Sequence, residues 1–311
     1  MMSKMIQAST LNALMLGNFD RTISVKEFLH ACDTGIGTYT GLDGEAIFED
    51  GVAYRATAEG KVTVMKPEDG VAFGTVAHFD EHVPEQHLTD IASIELLKQK
   101  LEPYIAGNKN VFYILKGHAE FYTMHVRSCF VCEKPYPTLS EAASHQREFH
   151  YAKVRGDLVA VYCPAYVNGI NMPGWHFHFL SGDRTKGGHI LGLSTASLAF
   201  KLNRLDAYEI ILPQNEEFAK LNLCEDLSAK TITQVTKANG NLLEFCLVED
   251  GFVVADLDDP NTMDCLRDLD RRVVTFRFPP TSGGAILPQP FGGCIFYASM
   301  KKLSYRVNSA A

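Results

Sequence analysis

The stretch Gly174–Leu193, "GWHFHFLSGDRTKGGHILGL", decides how this chain is read. Trp175, Phe177 and Phe179 alternate with His176 and His178, the period of a strand with two unlike faces. "SGDRTKGG" has the composition of a turn, and "HILGL" resumes an apolar run. Segments 175–181 and 189–193 therefore make a hairpin-like unit. Residues i and i+2 of a strand share a face, so His176 and His178 project side by side while the aromatic residues face packing. The turn brings His189 level with them. Three neutral imidazoles on one sheet face are a set of nitrogen ligands that leaves positions open on a catalytic cation. The plainer alternative is a solvated His-x-His pair on a surface strand, and spacing alone leaves both readings open.

Outward from this unit, strand signals dominate. "EAIF" and "VAYRA" flank an "EDG" turn at 49–51, Val71–Phe79 reads as a strand, and "NVFYILKGHAEFYTMHVRSC" alternates through two strands joined near Lys116–Gly117. "DLVAVYCPAYVN" is a buried strand and "AYEIILP" a further one. Helical signals are fewer. Residues 9–31 read as helical, with Thr10 as a cap and a capping box of Ser24 and Glu27. "TDIASIELLKQKLEPYI" has helical spacing with Thr89 or Asp90 as cap, and "NEEFAKLNL" is a short helix. Strands in runs with few helices between them predict an α+β fold with mixed or antiparallel sheets.

The chain has 311 residues, 46% of them apolar, and a formal charge of −8. That length suits one large domain or two ordinary ones. The acidic balance and the lack of any Lys/Arg-rich run argue against a nucleic-acid partner. No apolar stretch approaches a membrane span, and the first residues lack the pattern of a signal peptide, so a cytoplasmic protein is expected. Of eight cysteines only Cys129 and Cys132 share a C-x-x-C spacing. A zinc ribbon needs a second such pair, so reduced buried thiols are the expectation.

"YCPAYVNGINMPGWHFHFLSGDRTKGGH" closely resembles the signature of the alpha-acetolactate decarboxylase family. So do "GIGTYTGLDGE" at 35–45, "HVRSCFVCEKPYPTLSEAASHQREF" at 125–149 and "VRGDLVAVY" at 154–162. The resemblance runs from about Ser9 to about Asn239. It implies a carboxy-lyase that converts (S)-2-acetolactate to (R)-acetoin and carbon dioxide through a metal-stabilised enediolate. It also implies a two-domain build, divided here into 1–123, 124–239 and an extension, 240–311, packed on the core. A homodimer with no membrane or nucleic-acid partner is implied as well. The resemblance assigns His176, His178, His189 and Glu45 as ligands of Zn2+ or another divalent metal, and Arg127, Glu45 and Thr38 as catalytic residues. A Lewis acid beside the substrate's hydroxyl and ketone oxygens suits the charge that decarboxylation releases, and an always-cationic arginine suits its carboxylate. Each residue also has a bland reading. Glu45 follows a turn on a solvated strand, Arg127 pairs with Glu120 or Glu133, and Thr38 is an ordinary strand threonine.

The chain departs from the family's pattern at its tail. The glutamate that family members supply there as a further ligand falls near Thr236 or Lys237, neither of which is a carboxylate. Glu244 is the first candidate replacement. The roughly 70 residues that follow read as a hairpin around Glu249–Gly251, a capped helix in 259–272, and strands at "VVTFRF" and "CIFYASM". The departure keeps alternatives open: the same site acting on another 2-hydroxy-3-oxo acid or a β-keto acid, or a non-catalytic homologue that binds a metal or ligand.

Overall fold

The computed structural model describes residues 3–30 and 32–223, together with the backbone of four later strands. The chain divides into two compact units, Met1–Ser228 and Ala229–Ala311. The strands of the first unit begin with β1 (Lys4–Ala8), β2 (Ile23–Ser24), β3 (Thr34–Tyr39), β4 (Glu45–Glu49), β5 (Val52–Ala56), β6 (Val62–Val64) and β7 (Gly70–Ala77). They continue with β8 (Gln86–Ile91), β9 (Phe112–Ser128), β10 (Arg147–Cys163), β11 (Gly174–Ser181), β12 (Gly187–Leu205) and β13 (Ala207–Ile211). The helices are short except one: α1 (Leu11–Met15), α2 (Val25–Phe28), α3 (Ile94–Ile105), α4 (Leu139–Ala143) and α5 (Glu216–Lys220).

Two sheets carry the first unit. One has the order β13-β1-β7-β3-β4-β5-β6, with β2 paired to β7. The other has the order β11-β10-β9-β12-β8, and β11 also pairs with β12, so β9 to β12 close a ring of pairings. The β1–β13 ladder is parallel; the other ladders described are antiparallel. The α+β expectation with mixed sheets holds.

The ring is apolar on both faces, and each face packs on something different. Phe121, Met124, Val126, Leu158, Trp175, Phe177 and Phe179 cluster with Leu97, Leu101 and Ile105 of α3. Ile114, Val159, Val161 and Leu180 point the other way, onto Met5, Ile36, Ile47 and Ala77 of the first sheet. The reverse side of the first sheet packs Tyr39, Ala46, Phe48 and Val71 on Val25 and Phe28 of α2. Burying one such phenylalanine or leucine contributes roughly 2 kcal/mol. The expected site residues on β4, β9 and β11 lie where the two sheets face one another.

Several sequence expectations change in detail. Residues 9–31 do not form one helical region; α1 and α2 are single turns separated by β2. Their expected caps are present, Thr10 on α1 and the Ser24–Glu27 box on α2. α3 is capped by Ser93, because Thr89 and Asp90 belong to β8, whose Thr89 and Ile91 pair with Ser197 and Thr195. The join expected near Lys116–Gly117 is absent: β9 runs unbroken for 17 residues. Its alternation shifts phase later, at Tyr122 and Thr123, which both face away from the core between buried Phe121 and Met124. A bulge re-aims the side chains that follow it, and the ladder to β12 is irregular at this level. The shift turns His125 and Arg127 to the outer face of the ring.

Beyond the first unit, β14 (Leu243–Val248) pairs antiparallel with β15 (Gly251–Asp256), the pairing the expected hairpin requires, and β16 (Val273–Phe276) pairs with β17 (Cys294–Tyr297). The expected helix in 259–272 lies outside the described residues, as do Thr236 and Lys237; of Glu244 only the backbone is described.

The turn from β11 to β12 is tied to the first sheet by Arg184. Its Nη2 lies 2.8 Å from Glu49 Oε2 on β4, and its Nη1 lies 2.6 Å from Asp157 Oδ2 on β10. Burial, reinforced by the Asp157 charge, pushes Glu49 up from 4.5 to about 7 despite Arg184. Between those values the folded chain carries a proton that the unfolded chain has lost, so stability falls as pH rises from 4.5 to about 7. Glu49→Gln is expected to remove that part of the slope; urea midpoints across this range that fall as steeply in the variant as in the wild type contradict the assignment.

Candidate metal centre

His176 and His178 stand on the same face of β11, and His178 is the Cα partner of His189 at the start of β12. The sequence expectation that the three converge is met. His176 Nε2 lies 2.8 Å from His189 Nδ1 and 3.2 Å from His178 Nε2. The rings are inclined to one another by 64° to 75°, and one ring nitrogen from each lies within 4.8 Å of the other two. His178 is 1% exposed and the other two are half-buried.

The protonation pattern follows from the partners. His178 Nδ1 is 2.8 Å from the carbonyl oxygen of Ala46. A carbonyl only accepts, so Nδ1 carries the proton and donates it, and Nε2 presents a lone pair to the cluster. Burial holds all three imidazoles below their ordinary value, His178 at about 3; the nearby Arg127 charge acts in the same direction. They are neutral, as metal ligation requires. His176 Nε2 faces two other ring nitrogens, and a single proton serves at most one of those contacts well. A cation satisfies all three lone pairs. Nitrogen ligands at about 2.05 Å from a tetrahedral zinc sit about 3.3 Å apart, close to the spacing found. The donor set fits a borderline divalent ion.

The first sheet supplies the opposite wall. Glu45, at the start of β4, is 7% exposed, with Oε2 3.6 Å from His178 Nε2 and Oε1 3.6 Å from Arg127 Nη1. Burial raises its carboxyl, and Arg127 opposes that rise. Arg127 lies on β9 as the Cα partner of His189. Its described polar contacts are therefore with Glu45 and the Cys129 thiol, 3.5 Å away, rather than with Glu120, which pairs with Arg155, or Glu133. Thr38, the register partner of Glu45, is 5% exposed and donates from Oγ1 to the carbonyl of Gly44 at 2.7 Å. Thr38 thus fixes the turn that presents Glu45.

Three contributors were not singled out in the sequence. The Ala46 carbonyl sets the His178 tautomer, and no side-chain pattern announces it. Gly187 and Gly188 have the composition of turn residues. A Cβ on Gly187 would stand 2.9 Å from the Phe179 carbonyl oxygen, and one on Gly188, at φ +146°, 2.7 Å from that of Arg127. The glycine pair lets β12 press against both neighbours and so brings His189 to His178. The burial of Cys129 was expected: it packs with Leu42 and Phe73, and burial pushes its thiol up to about 12.

The description "alpha-acetolactate decarboxylase" belongs to the family profile that matches residues 5–225. The chain is 33% identical over 234 residues to the alpha-acetolactate decarboxylase of Brevibacillus brevis, covering 75% of this chain and 80% of that protein. It is 32% identical to that of Lactococcus lactis subsp. lactis, covering 71% of this chain and 94% of the relative. The crystal structure of the alpha-acetolactate decarboxylase from Bacillus subtilis strain 168 superposes with a TM-score of 0.71 at 29% identity, over 75% of this chain and 98% of that one. The chain belongs to the alpha-acetolactate decarboxylase family, a family of carboxy-lyases. Residues beyond 225 lie outside the match.

His178→Ala removes the lone pair held in place by Ala46. Elemental analysis after gel filtration is expected to find the tightly held metal lost from this variant, with circular dichroism unchanged. Equal metal at this centre in variant and wild type would rule out the ligand assignment.

Proposed function

We propose that this member of the family decarboxylates (S)-2-acetolactate to (R)-acetoin and carbon dioxide, with a zinc ion held by His176, His178, His189 and Glu45. The observation that carries this reading is the convergence of one ring nitrogen from each of three uncharged histidines against a buried carboxylate and an arginine. Zinc suits three imidazoles; a homodimer and a cytoplasmic location rest on the family resemblance. Among the described residues no helix is long and apolar enough to cross a membrane.

Acetolactate carries a carboxylate, a tertiary hydroxyl and an adjacent ketone. Loss of carbon dioxide breaks one carbon–carbon bond and leaves its electron pair delocalised into the ketone. Protonation of that carbon completes acetoin. A bound dication supplies a Lewis acid where this negative charge develops. A guanidinium is permanently cationic and forks onto carboxylate oxygens, so Arg127 suits orienting the substrate. For the same reason it is a poor proton donor. Glu45, the carboxyl that faces Arg127, is the better group to hold and return the proton, through the oxygen it does not give to the metal. Thr38 acts as a positioning residue through the Gly44 carbonyl.

A second reading has support in the tail, where the chain has Thr236 and Lys237 in place of a carboxylate and leaves the family match. In that reading the same centre acts on another 2-hydroxy-3-oxo acid. Incubation with racemic acetolactate separates the two. Chelator-sensitive release of acetoin and carbon dioxide is expected; bound metal without turnover favours the second reading. Arg127→Ala is expected to keep its metal and lose about 10²–10³ in kcat. A wild-type rate in that variant, or a full rate in metal-stripped protein, would refute the mechanism.

A further inference from the structure

A second group of potential ligands lies on the outer face of the ring. His150 on β10 is the Cα partner of His125 on β9, and Glu148 is the partner of Arg127. Alternation along each strand puts His125, Glu148 and His150 on one face. One nitrogen from each ring and one oxygen of Glu148 lie within 4.8 Å of one another. His125 Nε2 is 2.8 Å from Glu148 Oε2, and Gln146 Nε2 donates to Glu148 Oε1 at 3.2 Å. The two imidazoles stack with centroids 3.9 Å apart at 19°.

A cross-strand pair between His125 and Glu148 accounts for two of these groups. It leaves His150 without an assigned part: that exposed ring stacks on His125, and its nitrogens hydrogen-bond to no described residue. Burial alone would raise the Glu148 carboxyl, but its bonds to His125 and Gln146 and the nearness of both rings hold it below its ordinary value. The group therefore offers an ionised oxygen and two imidazoles, each able to turn about its side-chain torsions on a fixed backbone.

We infer that His125, Glu148 and His150 form a second divalent-cation site, separate from the three-histidine centre, that takes a first-row transition ion such as zinc, cobalt or nickel. Two imidazoles and one carboxylate are the donors such ions prefer, and they leave positions for water. Calcium and magnesium prefer oxygen alone. The side chains of His125 and Glu148 are 30% and 44% exposed, so the ion exchanges with solvent and is held more weakly than one between the sheets. It joins β9 to β10 near the ends of both strands, beside Arg127.

The test is calorimetric titration of chelator-stripped full-length protein with zinc chloride, checked by elemental analysis. The wild type is expected to take up about two equivalents, one tight and one weaker, both at sites with the nitrogen and oxygen donors zinc accepts. His150→Ala should lose the weaker event alone. His178→Ala should lose the tight one and keep the weaker, so the two sites fail separately. An unchanged second event in His150→Ala overturns the inference. So does a wild type that binds a single ion which His178→Ala abolishes. A single ion lost from His150→Ala instead supports this site and removes the metal centre from the proposed function.

Discussion

The structure depends on packing three uncharged imidazoles edge to edge between two sheets, one buried and two half-buried. An unsatisfied polar nitrogen in such a place costs roughly 1–3 kcal/mol, and an imidazolium would cost more. The fold meets this by fixing one ring absolutely: the Ala46 carbonyl takes the His178 Nδ1 proton and leaves Nε2 bare. That bond crosses from the first sheet to the ring, so the sheets cannot part without releasing the tautomer. Arg184 fastens the turn between β11 and β12 to both sheets, which keeps His189 opposite His178. The remaining lone pairs are left for a ligand to satisfy.

Much of this was legible because strand chemistry has a short period. His176 and His178 could be placed on one face from their spacing, and the return of His189 from the turn between them. The same alternation gave the α+β class, since the segments with period-two patterning far outnumber the helical ones. The family motifs supplied Glu45, Arg127 and Thr38, which spacing could not: they lie some 50 to 150 residues from the histidines, and nothing local says which strands meet.

What stayed hidden has physical causes. A bulge leaves no composition signal in "EFYTM", so β9 was divided where Lys116–Gly117 suggested a turn, although the ladder runs straight through that point. Thr89 and Asp90 are good capping residues by type, but pairing with β12 claims them for β8, and Ser93 caps α3 instead. Backbone groups are invisible to residue-type reasoning, so nothing in the sequence marks the Ala46 carbonyl. Gly187 and Gly188 carry the composition of a turn but act differently. They serve close approach between strands, not the turn itself.

The bulge at Tyr122 and Thr123 links these features. Before it, odd-numbered residues of β9 face α3; after it, Met124 and Val126 take over that role. Without the phase shift Arg127 would point into the apolar cluster beneath α3, where a guanidinium has no carboxylate to meet. With the shift it faces outward, level with His189 on one neighbouring strand and Glu148 on the other, and it reaches Glu45 across the gap. One unpaired step in a strand thus decides whether this arginine belongs to a core or to a site. The same step carries His125 outward beside it. The three-histidine centre and the exposed His–Glu–His group consequently share a face of the ring, with Arg127 between them.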